Sequence, residues 1–471
     1  MRTVGQWVQG KAQLGVKALT IAVLVPLSLA GCTSQGTDPA TESPAASSPA
    51  ASHPTPVAIP QTPAGTKAEK ILDILNAPEE STENDWNEEL AKSFTDAVSV
   101  QQVVELTNRQ LRGAGPYTVV GYEGAERTAS LRLAGQTPPD LMMHLNLDNA
   151  GKVSGLRFVP ALDEQRTPLA SFDEVSDALE KLPGSVSAYV ARTDGSEVFL
   201  EQNADESAPL GSMFKLYVLL AVAQEVETAR DLSWDDQLIL RDKDKSLPSG
   251  ELQNEADGTR LTVYEAAQKM ISISDNTATD MLIDAVGRPA VERAVRDSGH
   301  HDPQELHPFL STKDMLKLAW GDADRLESWA QADADRRRIL HEKLQAEPFK
   351  VTVEDVGTEP AWDEGAEWFA SPKDIARVHN ALHELAEPQV ARILTENPGI
   401  PMDGWRHAAF KGGSDVGVLA GSWLVSDEAG NSYVVVLQQN SKERQEAQDI
   451  AEQEQEFFHI AGDIMKLLPK G

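Results

Sequence analysis

The sequence has 471 residues, a length typical of two or three domains, and its 41% content of hydrophobic residues is ordinary for a globular protein. Its formal net charge of −32 argues against binding to the phosphate backbone of nucleic acids, which requires clustered Lys and Arg. The same charge disfavours electrostatic binding to an anionic lipid surface. Because Cys32 is the only cysteine, an internal disulfide is excluded and the fold must depend on its core.

The first 31 residues have the pattern of a secretory targeting segment. Arg2, Lys11 and Lys17 form a basic region without acidic residues, and residues 18–30 form an apolar stretch of secretory length. This stretch ends in Leu-Ala-Gly followed by Cys32, a lipobox-like pattern. We therefore predict a lipoprotein signal peptide over residues 1–31 and a lipid on Cys32, which would anchor the chain to the extracytoplasmic face of the cell membrane. The alternative is an ordinary signal peptide with an incidental thiol.

The next two segments predict a tether and a small domain. Residues 32–66 are rich in Pro, Ala, Ser and Thr, and too poor in large apolar residues to offset the entropy of ordering, so they predict a disordered tether. Residues 67–162 predict a small α+β domain, with helical spacing first and an antiparallel sheet after it. The helical patterns cover residues 68–75 and 98–111, and the strand patterns cover 117–122, 129–133, 141–147 and 153–159. No catalytic constellation stands out in this domain.

A larger domain is predicted over residues 171–471, where helices and strands alternate irregularly. Ser171 and Glu174 form a capping box, and a hairpin pattern follows over residues 186–200 with an Asp-Gly turn. Later in the chain Thr262 caps a helix that is predicted to end near Ile273. Further predictions are a helix over residues 277–286, strands over 418–425 and 432–438, and a helix over 443–468.

The stretch Ala-Pro-Leu-Gly-Ser-Met-Phe-Lys at residues 208–215 opens an apolar run that is too short to cross a bilayer. It predicts a buried helix with Ser212 at its N-terminus and Lys215 one turn later on the same face. Burial disfavours the charged form of a lysine and lowers its pKa, so the amine can act as a base that activates the serine. The alternative is an N-capping serine and a lysine that extends to solvent.

Two further motifs have chemical potential. Ser274-Asp275-Asn276 lies between two amphipathic helices, where a serine can relay a proton and an asparagine can bind an amide. The alternative is that Ser274 or Asp275 only caps the second helix. Near the C-terminus, Lys411 is followed by two glycines ahead of a strand pair, which allows backbone to approach a ligand closely. The lysine can offer a point charge to a carboxylate.

Taken together, the three motifs resemble the class A β-lactamases and penicillin-binding proteins over about residues 171–471. The resemblance implies a β-lactamase/transpeptidase-like α/β (α+β) fold, with an antiparallel sheet flanked by helices and an all-helical subdomain. It implies that Ser212 is the acylated nucleophile, Lys215 its base and Ser274 the proton relay. Substrate binding would then involve Asn276, Lys411, Gly412, Gly413 and Ser414. The backbone N–H groups of Ser212 and Ser414 would form the oxyanion hole.

More narrowly, the layout is similar to that of actinobacterial lipoproteins that join a small NTF2-like (steroid-isomerase-like) domain to a β-lactamase-like domain. β-Lactamase-like proteins of clavulanic acid biosynthesis share this layout. The N-terminal match depends on the helices-then-sheet pattern and on Gly-Leu-Arg-Phe-Val-Pro at residues 155–160.

The sequence departs from the family pattern in two places. The usual Lys-Thr-Gly is Lys411-Gly412-Gly413 here, so one hydroxyl of the substrate-carboxylate site is missing. The Glu-x-x-Leu-Asn loop that positions the deacylating water in class A enzymes is not recognisable between residues 299 and 372, where a charged, Trp-containing insertion lies. Glu305 and Glu367 are the carboxylate candidates there, and each is predicted to be solvated or structural rather than catalytic.

The function predicted from these residues is a membrane-anchored serine hydrolase outside the cell that forms an acyl-enzyme with β-lactams or related amides and esters. One alternative keeps the chemistry but changes the substrate, as in a D-alanyl-D-alanine peptidase or an esterase. Another is a protein that binds β-lactams or muropeptides with slow turnover. The expected ligand is a small molecule or a peptidoglycan fragment, and no cofactor or metal is expected. His379 and His383 share a helix face but lack a His-Glu-x-x-His motif.

Overall fold

The computed structural model describes residues 56–471 except for 98, 137–139, 149, 162–166, 229–231, 353–354, 403, 444–446 and 471. The predicted signal peptide, Cys32 and most of the predicted tether lie outside the described residues. Within them, the chain forms two compact units, one ending at Arg166 and one beginning at Thr167. No helix of the described part is both long and apolar enough to span a bilayer.

The small unit contains helices followed by a four-stranded antiparallel sheet, in the order that the sequence predicts. Its strands are consecutive neighbours, each paired with the next one along the chain. A π-helical turn (Thr107–Leu111) connects the last helix to the sheet. The helices are α1 (Pro63–Asn76), α2 (Glu83–Asn87), α3 (Lys92–Ala97) and α4 (Val100–Leu106). The strands are β1 (Thr118–Gly124), β2 (Thr128–Ala134), β3 (Leu141–Leu147) and β4 (Val153–Pro160).

The first helix begins three residues before residue 66, the predicted end of the tether. Thr62 accepts a hydrogen bond from the Gly65 N–H at 3.0 Å, and Pro63 occupies the first helical position, where its lack of an N–H has no cost. The Val57 N–H donates to the Val119 carbonyl at 2.8 Å, so the preceding residues also lie along the sheet. The boundary between tether and domain therefore lies before residue 57 and not at residue 66.

The large unit is built on a five-stranded antiparallel sheet whose strand order brings the two ends of the domain together. Strands β11, β12 and β13 from the C-terminal part pair in sequence, and β13 pairs with the hairpin β5–β6. The strands of this unit are β5 (Ser185–Arg192), β6 (Val198–Gln202), β7 (Ala208–Pro209), β8 (Gln237–Ile239), β9 (Arg260–Thr262), β10 (Phe369–Ala370), β11 (His407–Asp415), β12 (Val418–Ser426) and β13 (Ser432–Asn440). Strand β11 is an edge strand of the sheet.

Helices cover both faces of this sheet. Because side chains alternate along a strand, Trp423 packs with Phe457 of the C-terminal helix, whereas its neighbour Leu424 packs in the core of the helical side. The helices are α5 (Phe172–Leu179), α6 (Lys215–Glu227), α7 (Val263–Ser272), α8 (Asn276–Val286), α9 (Arg288–Asp297), α10 (Thr312–Trp320), α11 (Ala323–Ala330), α12 (Ala334–Ala346), α13 (Pro372–Glu384), α14 (Pro388–Thr395) and α15 (Ala447–Leu467). This is the antiparallel sheet flanked by helices that the sequence predicts.

Helix α6 is the central helix of the helical side. All nine residues from Lys215 to Ala223 are buried, which agrees with the uninterrupted apolar run in the sequence. Helix α13, whose N-cap Ser371 forms a capping box with Asp374, lies between α6 and the sheet. The start of α6 is thereby fixed against the edge strand β11, where the predicted site residues lie.

Candidate active site

The nucleophile candidate lies on a short turn that precedes the buried helix. Residues Gly211–Phe214 form a 3₁₀ turn, and α6 begins at Lys215, so Ser212 lies one turn before the helix proper. Gly211 has a φ of 49°, a left-handed conformation that favours glycine. The aromatic ring of Trp368 stacks on that of Phe214, with centroids 3.6 Å apart, and so packs against the turn.

Lys215 is fully buried, and its amine contacts four polar atoms that belong to three residues. Its Nζ lies 3.1 Å from Ser212 Oγ, 3.0 Å from Ser274 Oγ, 2.7 Å from the Ser274 carbonyl and 2.6 Å from Asn276 Oδ1. Burial lowers the pKa of Lys215 well below its usual range, and the charge of Lys411 lowers it further. Nearby Asp275 and Asp280 oppose this effect without reversing it.

These four contacts are compatible with an uncharged amine. A neutral lysine has two N–H donors and one lone pair. The two donors fit the Ser274 carbonyl and Asn276 Oδ1, which cannot donate, and the lone pair then remains for a hydroxyl proton from Ser212 or Ser274. This arrangement lets Lys215 accept the proton of Ser212.

Ser274 is turned into the site, and Asp275 is the residue that caps the next helix. Asp275 Oδ1 accepts from the Ala278 N–H at 2.8 Å, and Oδ2 accepts from the N–H groups of Glu251 and Leu252. Ser274 has a φ of 57°, which is uncommon for a residue other than glycine and directs its hydroxyl towards Lys215. The capping alternative is therefore confirmed for Asp275, whereas Ser274 contacts Lys215 and its role as a proton relay stays a prediction.

Asn276 makes two strong contacts in the site. Its Oδ1 accepts from Lys215, and its Nδ2 donates to the Leu247 carbonyl at 2.6 Å. An amide nitrogen has two donors. The second N–H of Asn276 can therefore donate to the carbonyl oxygen of a ligand amide, as the family resemblance implies. The Oδ1 atom of the same side chain contacts Lys215 and helps to hold it in position.

Lys411 lies within strand β11 and not in a loop before it. Its buried Nζ is 3.1 Å from Ser274 Oγ and 2.7 Å from the Gly412 carbonyl, so Ser274 lies between the two lysines. Burial lowers the pKa of Lys411 to about 7. The backbone carbonyl of Lys411 accepts from Ser422 Oγ, which in turn accepts from Nε2 of His379 at 2.9 Å. An anionic ligand at Lys411 would restore the charge that burial disfavours.

The contacts of His379 indicate a structural role. Burial lowers its pKa to about 3, so the ring is neutral, and its Nε2–H donates to Ser422 Oγ.

Elsewhere in the described residues, the side chains of His300, His301 and Asp374 are close enough to one another to hold a metal ion. Their atoms are already engaged, because His300 Nε2 donates to the Phe369 carbonyl and His301 Nδ1 lies 2.6 Å from the Asp374 carboxylate.

The two glycines beside the nucleophile allow the edge strand to approach the turn very closely. A Cβ atom on Gly211 would lie 2.6 Å from the backbone nitrogen of Ser414, and one on Gly413 would lie 2.8 Å from that of Ser212. Any larger residue at either position would separate these segments. The segments that carry the backbone nitrogens of Ser212 and Ser414 are thereby in close contact, as the oxyanion hole implied by the resemblance would require.

Gly412 has a different neighbour. Phe410 lies on the same face of β11, two residues earlier, and its Cζ would be 2.9 Å from a Cβ atom at position 412. The Phe410 ring is held between Gly399 and Trp423, with which it stacks at a centroid distance of 5.0 Å. A phenyl ring therefore fills the space in which the side chain of the family's usual threonine would begin.

Neither glutamate of the insertion reaches the nucleophile. Glu305 accepts a short hydrogen bond from Ser207 Oγ. Glu367 is buried and accepts from the Trp368 N–H at 2.9 Å, on the side of Gly211 and not of the Ser212 hydroxyl. Among the residues that the structure describes, no carboxylate is hydrogen-bonded to Ser212 Oγ or Lys215 Nζ. The described part of the site thus contains no carboxylate in direct contact with the candidate nucleophile or its candidate base.

The sequence did not indicate that Glu367 would meet Asp415. Asp415 directly follows the predicted substrate-binding segment Gly412–Ser414, but nothing in its spacing from Glu367 links the two residues. The stacking of Trp368 on Phe214 was also not foreseen. Both contacts depend on how the insertion returns to the nucleophile turn, which no local pattern encodes.

The chain was compared with protein families, curated proteins and solved structures. A model described as the N-terminal domain of the ORF 12 gene product matches residues 59–153, and this differs from the NTF2-like domain that the sequence suggested. No match to a curated protein was found. The chain is similar to a beta-lactamase from Sphaerobacter thermophilus, at 24% identity and a TM-score of 0.45, over 64% of this chain and 100% of that one.

Two further solved structures are similar. One is PBP-A, at 17% identity and a TM-score of 0.43, over 64% of this chain and 98% of that one. The other is a beta-lactamase from Chitinophaga pinensis, at 17% identity and a TM-score of 0.44, over 63% of this chain and 98% of that one. A model described as the beta-lactamase enzyme family matches residues 170–453, which include every residue of the candidate site and more than half of the chain. The chain therefore belongs to the beta-lactamase enzyme family.

Proposed function

We propose that this chain is an extracytoplasmic serine hydrolase that is acylated at Ser212 by β-lactams or related amides and esters. The observation that supports this most strongly is the contact between Lys215 Nζ and Ser212 Oγ at 3.1 Å, with the lysine buried and its pKa lowered. A buried amine of this kind can take a proton at neutral pH, which a surface lysine cannot do.

In the proposed acylation step, Ser212 Oγ attacks the carbonyl carbon while its proton passes to the lone pair of Lys215. The oxygen that becomes negative would lie against the backbone N–H groups of Ser212 and Ser414, where one donor is worth about 10²–10³ in rate. When the carbon–nitrogen bond breaks, Ser274 Oγ gives its proton to the leaving nitrogen and recovers one from Lys215. Ser274 suits this relay because it is 3.0 Å from Lys215 Nζ and 3.1 Å from Lys411 Nζ.

The substrate class follows from the charges of the site. Lys411 is buried, and within the described residues burial alone accounts for its lowered pKa, so no carboxylate of the chain compensates its charge. A substrate carboxylate would do so, which favours β-lactams and peptides that end in a carboxylate. A D-alanyl-D-alanine peptidase or an esterase shares this chemistry and is the first alternative.

A protein that binds β-lactams with slow turnover is the second alternative, and one observation favours it. No described carboxylate reaches Ser212 Oγ, so the ester that forms there would have no general base to activate water. In the solved structures, a PBP-A variant forms an acyl-enzyme complex with penicillin G, at 18% identity to this chain and a TM-score of 0.42. That observation concerns PBP-A itself.

The proposed function is tested by labelling with a fluorescent penicillin. Ser212→Ala should lose the label and the corresponding mass adduct while its melting temperature stays close to that of the parent protein. Ser207→Ala is the matched control, because Ser207 lies on the same approach to the turn but hydrogen-bonds Glu305 instead of Lys215. If Ser212→Ala still carries the label, another residue is the nucleophile.

Membrane attachment is the second part of the proposal. It depends on the lipobox-like Leu-Ala-Gly before Cys32 and on the apolar stretch of residues 18–30. Cys32→Ala should move the protein from the membrane fraction to the soluble fraction. Retention of the variant in the membrane fraction, without a lipid on the mature N-terminus, would contradict this part of the proposal.

A further inference from the structure

Two carboxyl groups lie together beside the nucleophile turn, and neither has a role in the acylation step above. Glu367 is only 4% exposed. Asp415 keeps some exposure as a residue, but its carboxyl is enclosed and faces Glu367. The pair is separated by nearly fifty residues in the sequence, and it is brought together where the insertion meets the end of β11.

Each carboxyl is attached to a different half of the oxyanion hole. Glu367 lies within hydrogen-bonding range of the Gly211 N–H, directly before Ser212. Asp415 directly follows Ser414, and its Oδ1 accepts from the Val416 N–H at 2.8 Å. The contact between the two carboxyls thus joins the segments that carry the two N–H groups of the hole.

The backbone around Glu367 is well fixed. The Leu210 N–H donates to the Trp368 carbonyl at 2.9 Å, and β10 pairs with β7 immediately beyond it. Trp368 Nε1 donates to the Leu310 carbonyl at 3.0 Å, while its ring stacks on Phe214. Glu367 Oε2 is buried and has no hydrogen-bond donor among the described residues, and the Glu367 carboxyl interacts with that of Asp415.

The pair needs a proton. In the part of the chain that the structure describes, Glu367 is affected by Asp415 and by backbone N–H groups, and Asp415 by Glu367 and backbone, with no cation facing either carboxyl. Two carboxylates in contact without a cation cannot both be ionised in a buried site. Burial and this repulsion raise the pKa of Glu367 well above its usual range, and burial raises that of Asp415 to about 6.

We infer that Glu367 and Asp415 share one proton and by doing so hold the two N–H groups of the oxyanion hole at their working distance. The pair positions the hole and does not touch the substrate. This inference rests on the proposed function, because it assigns the pair a part in acylation at Ser212. It also implies that the rate of acylation depends on pH through two carboxyl groups that do not themselves take part in the reaction.

The sign of the pH dependence follows from the proton that is lost. As the pH rises, the shared proton leaves, the two carboxylates repel each other, and the segments that carry Ser212 and Ser414 move apart. The rate of acylation at saturating penicillin should then fall on the alkaline side. Lys411 also loses its charge as the pH rises, which weakens the binding of an anionic substrate and changes the pKa of Lys215. The comparison with a Glu367 variant separates these effects from that of the shared proton, because the variant keeps both lysines.

Three variants test the inference by measuring the rate of acylation at saturating fluorescent penicillin against pH. Glu367→Gln keeps a hydrogen-bond donor that cannot ionise, so it should acylate at nearly the parental rate at neutral pH and lose the alkaline fall. Glu367→Ala should acylate about 100-fold more slowly, since a displacement of about 1 Å has that effect on a reacting geometry. Glu305→Gln is the matched control in the same insertion and should keep the parental profile.

A second measurement does not require labelling. In the folded chain both carboxyls have raised pKa values, so their contribution to the stability of the parent protein is greatest at acid pH and falls as the pH rises above the usual values of 3.8 and 4.5. Glu367→Gln should show a smaller fall in melting temperature between about pH 4 and pH 9 than the parent protein.

The outcomes separate the two proposals. A parent protein that takes no label overturns the proposed function, and the melting curves then decide the shared proton. Parallel melting curves of the parent protein and Glu367→Gln overturn the inference, as does a Glu367→Ala variant that folds and acylates at the parental rate. An alkaline fall that persists unchanged in Glu367→Gln also overturns it.

Discussion

Single residues explain why this site departs from the family motif. Gly412 stands where the resembling families carry threonine, and the obvious interpretation is a lost hydroxyl. The structure gives a steric reason, because the Phe410 ring already occupies the start of that side chain and is held by Gly399 and Trp423. The two positions form one unit, so the glycine is required by its neighbour.

Gly412→Thr should therefore damage the site. The added side chain would push against the Phe410 ring, which packs on Trp423, and overpacking of this kind typically costs about 1–3 kcal/mol. We expect a lower free energy of unfolding in urea and slower labelling by fluorescent penicillin.

The double variant Phe410→Ala/Gly412→Thr is the control, because removal of the ring makes room for the threonine. It should recover labelling relative to Gly412→Thr alone. Faster labelling of the single variant than of the parent protein would show that the missing hydroxyl, and not the ring, limits this site.

At the level of elements, local patterns predicted those parts of the fold that local physics determines. The capping residues Ser171 and Thr262 placed the starts of α5 and α7, and the uninterrupted apolar run predicted the buried helix α6. Strands β12 and β13 were predicted to within two residues of their observed ends, because both of their faces are buried and they are mostly apolar.

The elements that the sequence described less well depend on tertiary contacts. Strand β11 extends through Lys411, Gly412 and Gly413, although glycine has little preference for strands, because pairing with β12 fixes it. The first turn at Ser212 is 3₁₀ and not α-helical, since Gly211 must pass close to β11. The contact of Glu367 with Asp415 was unpredictable for the same reason.

At the scale of the whole molecule, the described part of the large unit contains the groups that the proposed acylation step needs, but no carboxylate in contact with Ser212 Oγ or Lys215 Nζ. The acylating groups converge on one point, with Ser274 between two buried lysines. The insertion that replaces the usual water-positioning loop instead supports the nucleophile turn, through Trp368 and Glu367. Glu305 and Glu367 therefore contact the segments around the turn and not Ser212 Oγ itself.

Deacylation, and not acylation, should then limit any turnover of β-lactams. Loss of a positioned general base typically costs about 10²–10⁴ in rate, or roughly 3–5 kcal/mol on the second barrier alone. Mixing the enzyme with excess penicillin in a stopped-flow instrument should give a burst of about one equivalent and then a slow phase. Intact-mass measurement during the slow phase should find most of the protein as the adduct, and Ser212→Ala should show neither burst nor adduct. A trace that stays linear and fast from the first turnover, with no adduct by mass, would mean that a base activates water at Ser212 after all.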